Sequence, residues 1–262
     1  MNRHIRKTAE VLLPKRIFVT IQSIRSRNYQ KQLHREWGVY ESTVEMMARY
    51  GHTVLDGPFR GMKYPISSLT NRYGIPILFG TYELELHSII EEVVTKHYDR
   101  IIDIGCAEGY YAVGLARRTG ATVYAFDCEP RERHYCRQMA RENGVADRVY
   151  VRDWCNIRTL KRVAVGRCLI IADCEGYEVD LFSDDVVQSL KNCDLIVELH
   201  EIKGTDVRGI LLGRFKHSHN AELITFDASD IGPGVPDKWR KFARESRSPG
   251  QQWVYFTPLE ST

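Results

Sequence analysis

Three short runs carry side chains able to do chemistry. The first is Asp103-x-Gly105-x-Ala107-x-Gly109, which follows the apolar residues Ile101, Ile102 and Ile104 and leads through Tyr110 into an amphipathic segment. The second is Asp173-Cys174-Glu175-Gly176-Tyr177-Glu178, directly after the apolar run Cys168–Ala172. The third is Glu198-Leu199-His200, after residues 194–197 (Asp194-Leu195-Ile196-Val197). An imidazole beside carboxylates can take a proton from a reacting hydroxyl, which makes His200 the general-base candidate. The same three groups, Asp173, Glu198 and His200, can instead converge on a divalent cation that lowers the pKa of that hydroxyl.

The first run reads as a buried strand turning sharply into a helix. Gly105 can take backbone angles closed to other residues, and Gly109 lets a ligand approach the first helical turn, whose N–H groups lack partners. That is a nucleotide cradle, although Ala107 stands where the dinucleotide fingerprint G-x-G-x-x-G could have placed a glycine. A plain strand-turn-helix corner, or another nucleotide site, gives the same local pattern. Residues 121–126 form the next apolar run and end at Asp127, about 20 residues beyond the turn, where an acid accepts ribose hydroxyls. Glu129 is the second choice for that role. A third strand over residues 148–151 leads to Asp153 and Trp154, which also fit a helix cap and a core ring.

The Asp103–Gly109 pattern resembles motif I of the class I S-adenosylmethionine-dependent methyltransferases. The later runs resemble the I-D-V-E-G-Y-E signature and the E-x-H of the FkbM-type methyltransferases. The resemblance extends from Asp103 to Glu201; the chain departs from the pattern in Cys174 and in a long basic amino-terminal segment. It implies an α/β Rossmann-like sheet of seven strands ordered 3-2-1-4-5-7-6, mostly parallel with the last strand antiparallel, and helices on both faces. It implies S-adenosylmethionine as cofactor, with its amino-acid part held by Asp103, Gly105, Ala107, Gly109 and Tyr110. Asp127 would meet its ribose, Asp153 and Trp154 its adenine, and Asp173 would close the pocket. The implied reaction is O-methylation of a hydroxyl on a small molecule, sugar or glycan. Amino-group methyltransferases often carry D/N-P-P-Y/F where this chain has Asp173-Cys174-Glu175-Gly176. The alternatives are an RNA or protein acceptor reached through the basic segment, a nucleotide-sugar or NAD(P)-dependent Rossmann enzyme, and a silent cofactor-binding module.

The elements that must position these groups follow from composition and spacing. A chain of 262 residues with 43% hydrophobic residues suits one α/β domain plus an extension. Residues 1–50 read as a basic amphipathic helical arm. Through Tyr40 nine bases face two acids, so residues 1–40 carry +7 and the remainder −4 of the net +3. Such an arm docks on its own domain, on a second subunit, or on an anionic surface such as lipid or nucleic acid. Residues 51–80 form a hairpin and cover segment, with Asp56-Gly57-Pro58 and Arg60-Gly61 as turns between residues 54 and 64. The domain proper takes residues 81–262 and opens with a helix over 82–97, where Thr81 is either its N-cap or, with Tyr82 and Glu83, part of the pocket. Residues 221–226 and 252–256 supply the last strands, and the loop between them offers Trp239 or Arg247 to the acceptor site. Seven cysteines without paired C-x-x-C spacing suggest reduced thiols. With no apolar span or signal peptide, the expected location is the cytoplasm, peripheral to the membrane if the arm binds lipid.

Overall fold

The computed structural model describes residues 38–69, 73–200, 202, 204–227, 229–232, 234–243 and 250–259. Most of the arm and Arg247 therefore lie outside the described residues. Five short apolar runs become parallel strands: β1 (Arg100–Ile104), β2 (Thr122–Phe126), β3 (Val149–Arg152), β4 (Cys168–Ala172) and β5 (Cys193–Leu199). β4 is buried at every position, as a strand covered on both faces must be. Two further strands, β6 (His219–Thr225) and β7 (Gln252–Pro258), complete one sheet of order β3-β2-β1-β4-β5-β7-β6. β7 runs antiparallel to both its neighbours. This is the order the resemblance implied.

Alternation along the strands divides the interior into two cores. Ile101, Val123, Leu169 and Ile171 face one core with Met46, Tyr64, Val113 and Met139. Ile102, Phe126, Ile170 and Val197 face the other with Leu160, Leu181, Val187 and Phe215. The first core is covered by α1 (Val39–Tyr50), α2 (Gly74–Phe79), α3 (His87–Thr95), α4 (Tyr110–Arg118) and α5 (Pro130–Glu142). Covering the second are α6 (Ile157–Val163), α7 (Glu178–Leu181), α8 (Asp184–Val187) and α9 (Val207–Phe215). A last helix, α10 (Asp237–Ala243), returns to the first core.

Several local expectations are corrected. The helix over 82–97 is a 3₁₀ turn, Leu84–Leu86, followed by α3, because Glu83 takes a left-handed backbone (φ 52°) that cannot continue a helix. Thr81 is buried with its hydroxyl directed to the Pro76 carbonyl at 3.4 Å, and caps no helix. The short hairpin expected over 54–64 is present: Thr53 and Lys63 form an antiparallel bridge, the Val54 amide donates to the Met62 carbonyl at 2.9 Å and the Tyr64 amide to the His52 carbonyl at 2.8 Å. Gly57 and Gly61 turn it with positive φ, and Val54, Phe59, Met62 and Tyr64 are buried in the first core. Trp239 is 1% exposed and packs against Tyr50 and Phe79, which removes it from the acceptor site.

Ile170 is fully buried at the centre of β4. Ile170→Ala should lower the unfolding free energy by about 2–5 kcal/mol, measured by urea denaturation.

Candidate active site

β1 and β4 are neighbours, but the chain leaves β1 toward β2 on one side and β4 toward β5 on the other. The crevice beyond their carboxyl ends is where an open α/β sheet receives ligands. At its floor β1 reverses into α4 through Gly105 (φ 90°), Ala107 (φ 44°) and Gly109 (φ 101°). The amides of Gly105 and Cys106 both donate to the Phe126 carbonyl, at 2.8 and 2.9 Å. A Cβ on Gly105 would stand 1.7 Å from the carbonyl oxygen of Asp173, so the turn touches the end of β4 only because residue 105 has no side chain. Likewise a Cβ on Gly109 would stand 2.9 Å from Cys136 Sγ on α5.

The carboxylate of Asp127, just past β2, is tied to this turn. Its Oδ2 accepts from the Ala107 amide at 2.9 Å and its Oδ1 from the Glu129 amide at 2.7 Å. Each oxygen keeps capacity for a further donor. Burial raises the Asp127 pKa to about 6 despite those amides. Asp103 is 2% exposed, and its Oδ2 is buried with no hydrogen-bond partner among the described residues. Burial, aided by the charges of Asp127 and Asp173, pushes it up to about 8 while the Ala112 amide pulls it down. Tyr110 is 7% exposed, its ring 4.9 Å from Phe59 and 5.0 Å from Tyr82, so it serves the packing under the turn. Asp153 is exposed after β3, and Trp154 lies with its ring 4.8 Å from that of Tyr177.

On the other side of the crevice the ends of β4 and β5 bring four carboxylates around one imidazole. Pairing with β7, Glu198 to Trp253 and Leu199 to Gln252, extends β5 beyond the expected 194–197 and puts Glu198 inside the strand. His200 directs Nε2 toward Asp173 Oδ1 and Glu198 Oε2, each at 3.4 Å, and toward Glu175 Oε2 at 4.0 Å. Its Nδ1 donates to Glu178 Oε1 at 2.8 Å. Glu178 is 0% exposed, and the same oxygen accepts from the amides of Cys174 at 3.1 Å and Gly176 at 3.3 Å. Gln251 donates to Glu198 from the loop before β7. Burial works against a charged His200 ring, but the Glu178 hydrogen bond and the charges of Glu178, Asp173 and Glu198 outweigh it and hold the pKa well above the usual value. Burial would raise Glu178, yet His200 and the amides hold it below the ordinary carboxylate range. The two directions agree on a charged pair.

Asp173, Glu198 and His200 thus meet at one place, and Asp103, Gly105, Ala107 and Asp127 at another, joined by the Gly105–Asp173 contact. Ligand atoms of Asp173, Glu175 and His200 lie within 4.8 Å of one another. Sequence reasoning assigned Glu178 no role, although it stands inside a run already singled out. An acid in the first turn of a helix ordinarily reads as an exposed partner of the helix dipole. Glu83, named with Thr81 and Tyr82 as a pocket candidate, is buried and accepts from the Tyr111 hydroxyl.

No protein-family model matches the chain, and no curated protein does. Solved structures are similar to it. The bifunctional kinase-methyltransferase WbdD has 18% identity and a TM-score of 0.43 over 66% of this chain and 38% of that one. A putative O-methyltransferase from Klebsiella pneumoniae has 14% identity and a TM-score of 0.43, covering 66% and 78%. The human methyltransferase 10 domain containing protein has 14% identity and a TM-score of 0.47, covering 84% and 96%. The chain spans well under half the length of WbdD.

Gly105→Ala should destabilise the fold by more than the ~1–3 kcal/mol of a strained backbone alone, because the Asp173 carbonyl cannot yield. Gly144→Ala, with positive φ but no atom within 4 Å of the added carbon, should cost only the backbone part. Thermal melting of the two variants checks the difference.

Proposed function

We propose that the protein is an S-adenosylmethionine-dependent O-methyltransferase acting on a hydroxyl of a small molecule, sugar or glycan. The observation that carries this reading is the Asp127 carboxylate, hydrogen-bonded to the Gly105–Gly109 turn at the sheet's switch point, a turn that itself touches Asp173 at the end of β4. In this reading Asp103 and the turn, Gly105, Ala107, Gly109 and the underlying Tyr110, hold the amino-acid part of the cofactor. Asp127 accepts its ribose hydroxyls. Asp153 and Trp154 border its adenine, and Asp173 closes the pocket. The cofactor, when bound, supplies an electrophilic methyl group on a positively charged sulfur. A crevice lined by Asp103, Asp127, Asp173 and Glu198 suits that charge.

The chain's own work is to align the acceptor for in-line displacement and to receive its proton. In this reading Asp173 and Glu198 offer the basic oxygens, and the charged His200 ring, held by Glu178, orients them. The same charges disfavour a phosphorylated acceptor, which supports a neutral hydroxyl compound over RNA. A protein or RNA acceptor remains the second reading, resting on the basic arm, which in this proposal meets lipid, nucleic acid or a second subunit. All seven cysteines are free, in keeping with a cytoplasmic setting. No helix among the described residues is long and apolar enough to cross a membrane.

Calorimetry with S-adenosylmethionine against NAD(P)H tests the cofactor; tight binding of only the latter would overturn the proposal. Asp127→Ala should weaken cofactor binding by ~1.5–3 kcal/mol with the fold intact. The ionised carboxylate is the binding form, so cofactor affinity should fall as pH drops through about 6, and Asp127→Asn should flatten that dependence. His200→Ala should slow methyl transfer by ~10²- to 10⁴-fold while leaving cofactor affinity nearly unchanged, read from S-adenosylhomocysteine release.

A further inference from the structure

We infer that the β3 edge of the sheet is a binding surface for single-stranded nucleic acid, with Tyr150 as the platform on which a base stacks and Arg137, Arg152 and Arg158 as phosphate contacts. The surface goes beyond the methyltransferase reading and does not rest on it: it lies outside the crevice between β1 and β4 and holds the strand as a partner, not as the acceptor. Charge is segregated along the chain. Residues 130–162 carry nine arginines and lysines against four acids, a net +5, whereas residues 41–262 as a whole carry −4. Those bases fall on three consecutive elements, α5, β3 and α6, and β3 is the outermost strand on its side of the sheet. A basic stripe at one edge of an otherwise acidic domain is the electrostatic footprint of a polyanion site.

The side chains are arranged for stacking as well as for charge. Parallel pairing sets Tyr150 beside Tyr124 of β2, and their rings stack at 5.6 Å with 26° between the planes. Arg100 lies 5.7 Å from the Tyr124 ring and Arg152 5.9 Å from the Tyr150 ring, so two guanidinium groups flank the pair. Tyr124 leans on the second core, while Tyr150 is 42% exposed at the margin of the sheet. A tyrosine held by a second ring offers a base a flat surface that is already in place. Arg158 is exposed on α6, the helix that covers this same face. From the other face Arg137 of α5 donates to the Val151 carbonyl of β3 at 3.2 Å, which carries positive charge round the edge. The chemistry favours a nucleic acid over a lipid surface. Tyr150 is the one exposed large hydrophobic side chain within residues 130–162, so no aliphatic group is offered to a bilayer. A single strand is favoured over a duplex, whose paired and stacked bases cannot reach the ring.

The test uses the full chain and a fluorescently labelled RNA of ~12 nucleotides without self-pairing, followed by anisotropy, with the matching duplex and phosphatidylserine vesicles alongside. The single strand should bind more tightly than the duplex, with a log–log salt slope of about −2, as three contacted phosphates give. Arg137→Gln, Arg152→Gln and Arg158→Gln should each weaken binding about threefold or more and flatten that slope. Tyr150→Ala should weaken it about fivefold or more, and Tyr150→Phe, which keeps the ring, should bind as the wild type does. Because all four side chains are exposed, the variants should melt with the wild type. Failure to bind the RNA would overturn the inference, as would tighter binding of the duplex. So would wild-type affinity in the three arginine variants, which would move binding to the basic amino-terminal arm, or wild-type affinity in Tyr150→Ala. Binding of the vesicles in place of the RNA, lost in the same arginine variants, would make the edge a lipid surface instead. Calorimetry with S-adenosylmethionine is read separately, so failure here and failure of the methyltransferase reading are distinguishable.

Discussion

The contact between Gly105 and the carbonyl of Asp173 is the constraint on which the rest of the site depends. It is a backbone-to-backbone approach that a single methyl group would prevent. Because it joins the turn after β1 to the residue after β4, it sets the distance between the proposed cofactor cradle and the carboxylate–histidine cluster. Reacting groups gain most when such distances are built into rigid elements rather than reached by motion. Here each partner directly follows a strand, and the two strands are paired along their whole length.

Electrostatics form the second layer. A crevice with this many carboxylates would be self-repelling, and the molecule meets that problem in three ways. Amide donors bind both oxygens of Asp127 and one oxygen of Glu178. Protonation is favoured at Asp103, whose pKa is pushed up to about 8. The imidazolium of His200 is shared among its acidic neighbours. What remains is a site with negative potential suited to a cationic ligand. At the opposite end of the sheet Asp194 is handled differently, by direct pairing: Lys96 at 2.9 Å and the Tyr98 hydroxyl at 2.5 Å neutralise it inside the fold. One end of the sheet closes its buried charge internally, and the other leaves it facing a crevice.

The sequence by itself determined the sheet. β4 is an apolar run without alternation, as a doubly covered parallel strand requires, and glycines with acids at the carboxyl ends of β1 and β4 mark where the chain turns. Those local features placed Asp103, Gly105, Asp127, Asp173, Glu198 and His200 at strand ends and hence on one edge. Tertiary structure alone decided how side chains of distant segments share space. Glu178 reads as an exposed helix-start acid, yet α7 packs it beneath His200 and buries it completely. Trp239 reads as a loop aromatic near the acceptor, yet α10 carries it into the core between Tyr50 and Phe79. The 82–97 segment has helical spacing, but Glu83, buried against Tyr111, takes a left-handed backbone and the α-helix begins only after it. Periodicity reports only which face of an element is apolar. Which polar group will be desolvated, and who pairs with it there, depends on contacts between residues far apart in the chain, and those exist only once the two cores have closed on the sheet.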